Sequence, residues 1–333
     1  MDELHRLIER ICRDHENDPD GLWLALTGTG LDRAGVEERL GGTGGDVTDA
    51  LAVTAALAEQ GVSAPAAEQS VLAGRLAAVA GLRLPEGLVV VAGDAGLRWA
   101  GDRIHGTARR VPWASGAGHL LVPSTTTADR TVVALVPVER VRVRPGGNLA
   151  DEPRDDVEFP GVVPDGSQVV GAPVHEMLLR WGALVRATQI AGALRTVLRM
   201  TLRYSAERVQ FGRRLSQLDV IRQQVALMAA EVAATSTAVG AAVRHMARAD
   251  DTDAAGIAVA AAKVQAGTAA TVVARIAHQT HGAIGVTREY PLQRHTRRLW
   301  AWRDECGSEE FWARRLAGLA HETDRPLWET LSG

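Results

Sequence analysis

Long apolar stripes at helical spacing govern the second half of this 333-residue chain. Ile221, Val225, Met228, Val232, Val239 and Val243 recur at three-, four- and seven-residue intervals, which puts them on one face of a single helix. A helix of that length hides its stripe only against partners of similar length. Segments 183–204, 217–248 and 253–280 meet the need. Their Ala and Gly content permits close approach, so residues 172–333 predict a four-helix bundle.

The first half is built differently. From Glu3 to about Leu82 the pattern is helical but broken at Gly28-Thr29-Gly30 and at Gly41-Gly42-Thr43-Gly44-Gly45, giving a domain of short helices over 1–85. The second glycine run lacks the Lys-Ser/Thr ending and the preceding strand of a phosphate cradle, so it reads as a loop. Over 86–171 the period changes. Leu88 to Val91, Leu97 to Trp99, Arg103 to His105, His119 to Val122, Thr131 to Val136 and Val141 to Val143 are short β-type runs separated by Gly, Pro and Asp. They predict a small antiparallel barrel or sandwich, with 146–171 as a connector. The fold class is therefore mainly α with a small β domain: N-terminal helices, a middle β-barrel or sandwich, and a C-terminal four-helix bundle.

Composition narrows the partners. Thirty-seven basic and 40 acidic residues are interspersed along the chain, leaving no electrostatic footprint for nucleic acid or a membrane surface. No unbroken apolar run approaches the roughly 20 residues of a membrane span, and Met1-Asp2-Glu3 opens an acidic segment unlike a secretion signal. A soluble, cytoplasmic protein is expected. Cys12 and Cys306 form neither a disulfide framework nor a zinc set, and no carboxylate or Cys completes a metal site around His278 and His281. Arg294, Arg297, Arg298 and Arg303 read as a solvated helix face, with CoA phosphates as the alternative. Trp300, Trp302 and Trp312 read as core or interface.

The bundle also carries two motifs. One is Tyr204-Ser205-Ala206-Glu207-Arg208-Val209-Gln210-Phe211-Gly212-Arg213. About seventy residues on comes Gln279-Thr280-His281-Gly282-Ala283-Ile284-Gly285, followed by Glu289-Tyr290-Pro291. Together they resemble the two signatures of the acyl-CoA dehydrogenase family, and the helix, β, helix order agrees. The resemblance implies FAD as cofactor and an acyl-CoA thioester as substrate. It implies that Arg208 binds the pyrophosphate through paired charge-assisted hydrogen bonds and that Phe211 supplies a flat wall. Gln279 would offer a donor and an acceptor, and Gly282 and Gly285 would admit close backbone approach. In the family these groups serve FAD held mainly by the neighbouring subunit.

The family removes the substrate's α proton with a glutamate while a hydride passes to the flavin. Counting from Glu289-Tyr290-Pro291 to the family's Glu-Gly pair reaches Cys306-Gly307. The alternative base position, on an earlier helix, is Gly182. The catalytic residue is thus unassigned, with Glu305 a weak candidate, one residue and about 100° out of register on a helix. The Thr-Glu-Pro and Gly-Ser-Asp segment that holds the flavin ring is missing, and Val111 to Ala117 resembles the next flavin-side element only remotely.

What a subunit gives its own flavin is absent; what it gives a neighbour's is present. That asymmetry resembles the heteromeric acyl-CoA dehydrogenases of bacterial steroid side-chain degradation, in which two short subunits form an α2β2 assembly. The expectation is a non-catalytic partner that shares FAD with a homologous subunit and serves a sterol-derived acyl-CoA. The alternatives are a homo-oligomeric dehydrogenase using Glu305 and a flavin-free structural bundle.

Overall fold

The computed structural model describes residues 3–93, 96–125, 131–171, 173–210, 212–249 and 252–322. Two compact units emerge, one of residues 1–54 with 63–181, the other of 55–62 with 182–333.

The first unit begins with α1 (Glu3–Asp14), α2 (Pro19–Gly28) and most of α3 (Val47–Gln60), and continues with α4 (Gly74–Ala80). Asp18 caps α2 by accepting from the Gly21 amide at 2.9 Å, and Pro19 occupies the first turn, where no amide is needed. The run from Gly41 to Gly45 is a knitted loop: Gly44 donates to Val36 O, and a Cβ on Gly42 would lie 2.0 Å from that same oxygen. Space, not ligand binding, explains that glycine. A π-helical turn over Glu68–Ala73 precedes α4. Within it Gln69, fully buried, donates to Asp32 at 2.6 Å and accepts from the Val89 amide at 2.8 Å, tying the helices to the first strand.

The strands are β1 (Val89–Val91), β2 (Arg98–Ala100), β3 (Arg103–Pro112), β4 (His119–Thr125), β5 (Thr131–Pro137), β6 (Arg142–Arg144), β7 (Arg154–Val162) and β8 (Gly166–Val170). Among the described residues they form one sheet in the order β6-β7-β3-β2-β4-β5-β8, with β1 also on β4. Pairing is antiparallel except where β1 and β2 meet β4. Ile104, Leu120, Val122, Val136, Val157 and Phe159 pack one core of this unit. The segment 146–171 is not a mere connector, since it supplies β7 and β8. Pro153, Pro160 and six acids hide the alternation there. The charges are accommodated because Arg154 pairs with Glu152 at 3.1 Å and Asp155 accepts from the Ser115 and Gly146 amides.

The second unit is the bundle. It contains most of α5 (Val174–Glu207), then a hairpin of β9 (Val209–Gln210) and β10 (Arg213–Arg214), then α6 (Asp219–Arg248), α7 (Asp253–His281), α8 (Leu292–Asp304) and α9 (Glu309–Glu322). The end of α3 belongs here. A Cβ on Gly192 would lie 2.5 Å from Ala55 O, and Glu59 accepts from Arg195 at 2.7 Å and Arg199 at 3.4 Å. Met228, Val232 and Val239 of the predicted stripe are buried, while Ile221, Val225 and Val243 are half-buried. By length and composition α6 and α7 are each apolar enough to cross a membrane; 61% of α7's most apolar window lies inside the unit, against 28% for α6. One side of α6, including Leu227 and several alanines, is left at the surface.

His295 of α8 is 5% exposed, its Nδ1 has no hydrogen-bond partner, and its ring fills the space that a Cβ on Gly61 would enter. Burial, then Arg298, Arg199 and Arg294, pushes its pKa down to about 3. The unfolded chain binds a proton there below about pH 6.5 and the folded chain does not, so acid drains stability through this residue. Between pH 7 and pH 5 the loss from this site is on the order of 2 kcal/mol. Denaturant midpoints measured across that range are predicted to fall less steeply for His295→Leu than for the natural chain; parallel slopes would contradict this.

Candidate functional site

The first motif closes α5. Its last helical residue is Glu207, and Gly212, at φ 77°, turns the following hairpin. The Leu215 amide donates to Arg208 O at 2.9 Å and the Arg208 amide to Tyr204 O at 2.9 Å, so Arg208 stands at a fixed neck. Its side chain is exposed, and it has no ion-pair partner among the described residues. Phe211 lies outside the described residues.

The second motif closes α7. Gly282 takes φ 64° with ψ −145°, a conformation that disfavours a side chain, and its amide donates to His278 O. Gly285 is buried against its own helix, where a Cβ would stand 3.0 Å from His281 Cβ and 3.1 Å from Leu292 Cδ2. These glycines shape the turn. Gly285 is buried, and the Gly282 amide already has a carbonyl partner. Gln279 is exposed and opens on a cavity of ≈ 720 Å³.

Aromatic packing joins the motifs. Tyr204 stacks on His281 with ring centroids 4.4 Å apart, Tyr290 lies 5.1 Å from His281, and the Tyr204 hydroxyl donates to His281 O at 3.3 Å. His281 Nδ1 is 2.7 Å from Ala277 O, which makes it the protonated nitrogen, and burial holds the imidazole below its usual pKa. A neutral ring therefore bridges the two signatures, and seventy intervening residues collapse into one patch.

The two base positions also meet. A Cβ on Gly182 of α5 would lie 2.7 Å from Cys306 Sγ. The two positions reached by counting therefore lie side by side, and neither residue is an acid. The helical offset argument for Glu305 needs correction, because α8 ends at Asp304. Glu305 is extended, while Cys306 at φ 55° and Gly307 at φ 95° make a left-handed turn. Glu305 is nevertheless engaged: its Oε2 lies 2.8 Å from Arg186 Nε, with the two side chains 12% and 3% exposed. Arg186, one helical turn beyond Gly182, also donates to Gln189 Oε1 at 2.7 Å.

Lys263 of α7 locks this turn. Fully buried, its Nζ donates to Arg303 O at 2.6 Å, Gly307 O at 2.8 Å and Trp302 O at 3.4 Å, while Trp312 Nε1 donates to Cys306 O at 2.8 Å. Burial lowers the Lys263 pKa to about 8, with Cys306 opposing. Three carbonyl acceptors keep it an ammonium at neutral pH. Sequence reasoning missed Lys263 and Arg186, yet a signal existed: Lys263 is the single lysine among 37 basic residues. A compact ammonium with three donors suits a nest of carbonyls that a planar guanidinium does not. In the sheet unit, Trp113 sits at φ 59° and the Ser115 amide donates to Asp155 at 2.8 Å, so the segment with a remote family likeness is a built turn.

Comparison with known proteins agrees with this geometry. Residues 170–317 match the family model for the acyl-CoA dehydrogenase C-terminal domain. Acyl-CoA dehydrogenase FadE27 of Mycobacterium tuberculosis is 28% identical over 328 residues, covering 88% of this chain and 84% of that protein. The ChsE4-ChsE5 complex from Mycobacterium tuberculosis superposes with a TM-score of 0.87 at 25% identity, over 97% of both chains. The Tcur3481-Tcur3483 steroid ACAD shares the fold, with a TM-score of 0.83 at 23% identity over 96% of this chain and 97% of that one. With two linked signatures, the helix, sheet, bundle order and these likenesses, residues 170–317 are an acyl-CoA dehydrogenase C-terminal domain and the chain as a whole has the acyl-CoA dehydrogenase fold.

Proposed function

We propose that this chain is the non-catalytic partner in a heteromeric acyl-CoA dehydrogenase, completing the FAD site of a homologous subunit that α,β-desaturates a sterol-derived acyl-CoA. The observation that carries the reading is the filled base position: Cys306 Sγ against Gly182, and Glu305 committed to Arg186. A proton acceptor must reach the substrate in a free ionised form. The acid nearest that position is instead held in a buried ion pair. The likeness to FadE27 and to the ChsE4-ChsE5 complex supports the same reading. So does the open side of α6, for which a homologous bundle is the occupant of matching length.

The chain's surface fits a neighbour's flavin. FAD, when bound, supplies the hydride acceptor for the desaturation. Arg208 is exposed, fixed at its backbone and uncommitted to a carboxylate, which suits it to a pyrophosphate. Gln279 lies on the face joined to it by the Tyr204–His281–Tyr290 stack. Substrate activation falls to the partner subunit, which brings the glutamate and the ring-binding segment. An α2β2 assembly and a cytoplasmic setting complete the proposal.

Two substitutions separate this from a homo-oligomeric enzyme using Glu305. In the purified complex, Arg208→Ala is expected to weaken flavin retention about 30-fold or more, since it leaves a phosphate charge unpaired. Unchanged FAD content after gel filtration would count against the role of Arg208. Glu305→Gln is expected to cost the chain roughly 3 kcal/mol by stranding Arg186. Turnover of the folded complex should change less than about threefold, whereas loss of a true general base would cost about 100-fold or more.

A further inference from the structure

Helix α6 has two faces of different character. Met228, Val232, Val239 and Met246 lie on the buried one. About half a turn of the helix away runs a second seam. Asp219, Ala226, Ala233 and Gly240 form one column of it at seven-residue spacing. Gln223, Ala230, Thr237 and Arg244 form the other, four residues on. All are exposed except the half-buried Gly240. Alternating steps of four and three residues are the pattern of a coiled-coil seam, and this one is about 37 Å long at 1.5 Å per residue.

Charge is confined to the ends of this seam. Between Arg222 and Arg244 the helix has a single charged residue, Glu231, and its Oε2 is turned to α7, where it accepts from Gln265 Nε2 at 2.8 Å. The Thr237 hydroxyl donates to Ala233 O at 3.0 Å, so it needs no water. Small side chains let a facing helix approach closely, but they name no partner. The ends do. The Asp219 side chain is 87% exposed, with Arg222 at 3.3 Å. Arg244 is exposed too, and its guanidinium lies along the seam, 3.5 Å from where a Cβ on Gly240 would stand.

We infer that the seam binds α6 of a second copy of this chain, antiparallel, about a two-fold axis between residues 231 and 232. That register sets Asp219 on the copy's Arg244, Gln223 on Gly240, Ala226 on Thr237 and Ala230 on Ala233, and the symmetry makes each contact twice. Opposite charges meet at both ends, the longest uncharged side chain meets the glycine, and the smallest side chains meet at the axis. A parallel pair would instead align Asp219 with Asp219, Arg244 with Arg244 and the two helix dipoles with each other. In an α2β2 assembly this is the contact between like chains, and Arg208 and Gln279 remain for the unlike one. The isolated chain dimerises in the same way, so neither reading depends on the other.

Sedimentation of the full purified chain without any homologous subunit tests it, and reads mass where the partner reading is judged by flavin. A dimer is expected. Ala230→Glu combined with Ala233→Glu crowds four carboxylates about the axis; both positions are exposed and glutamate is a good helix former, so this variant should keep its full helical circular dichroism and sediment as a monomer. Asp219→Arg and Arg244→Asp each turn two opposite-charge contacts into like-charge ones and should weaken the dimer about tenfold, while the two together restore it. A monomeric natural chain overturns the inference, as does a dimer that survives the paired glutamates or a double charge reversal no tighter than either single one. If the natural chain is a monomer and the glutamate pair also blocks its union with the homologous subunit, the face belongs to the unlike chain, which overturns the inference equally.

Discussion

Lys263 holds three backbone carbonyls at the end of α8, and the character of the bundle follows from that clamp. The last carbonyls of a helix lack intrahelical donors, and here they are buried, so an unmade bond would be expensive. One ammonium satisfies them and forces the chain into the left-handed Cys306-Gly307 turn. That turn delivers Cys306 into the notch left by Gly182 and Glu305 onto Arg186. At the position where the family resemblance leads one to expect a carboxylate, this chain has a thiol against a glycine and, one residue earlier, a carboxylate paired with Arg186. Buried pairs of this kind contribute little net stability, but removing one member is costly.

The opposite holds at the two signatures. Their structural work is internal: Gly282 turns the chain, Gly285 lets helix and loop touch, and a neutral His281 joins Tyr204 to Tyr290. Their polar ends face outward. Arg208 stands at a hairpin neck with no ion-pair partner among the described residues, and Gln279 borders a cavity rich in arginine. A surface organised this closely and left electrostatically incomplete fits a site that a second chain finishes. The outward side of α6 is apolar as well, with only 28% of its most apolar window buried.

Much of this was legible in the sequence because periodicity is a strong signal over long helices. The segments 217–248 and 253–280 correspond to α6 and α7 within two residues at each end. β7 and β8 were not legible, because Arg154 and Asp155 break the expected polarity of a strand and are satisfied only by Glu152, Ser115 and Gly146 in the folded state. Register counting named Cys306 and Gly182, and the fold brings the two together. It could not reveal that Glu305 leaves the helix, since the termination depends on a lysine forty residues earlier. Both glycines were read as admitting close backbone approach; the fold adds a positive φ at Gly282 and tight packing at Gly285. Arg186 was not legible, because it is one of five arginines in α5 and its burial against Glu305 appears only in the folded state.

The central claim is that this chain completes a flavin site and does not own one. Expressed and purified without any homologous subunit, the chain is predicted to be colourless, releasing far less than one FAD per chain by visible absorbance, and to gain flavin when the partner subunit is added. A ratio near one FAD per chain from the isolated protein would contradict the account and return Glu305 to consideration as the base.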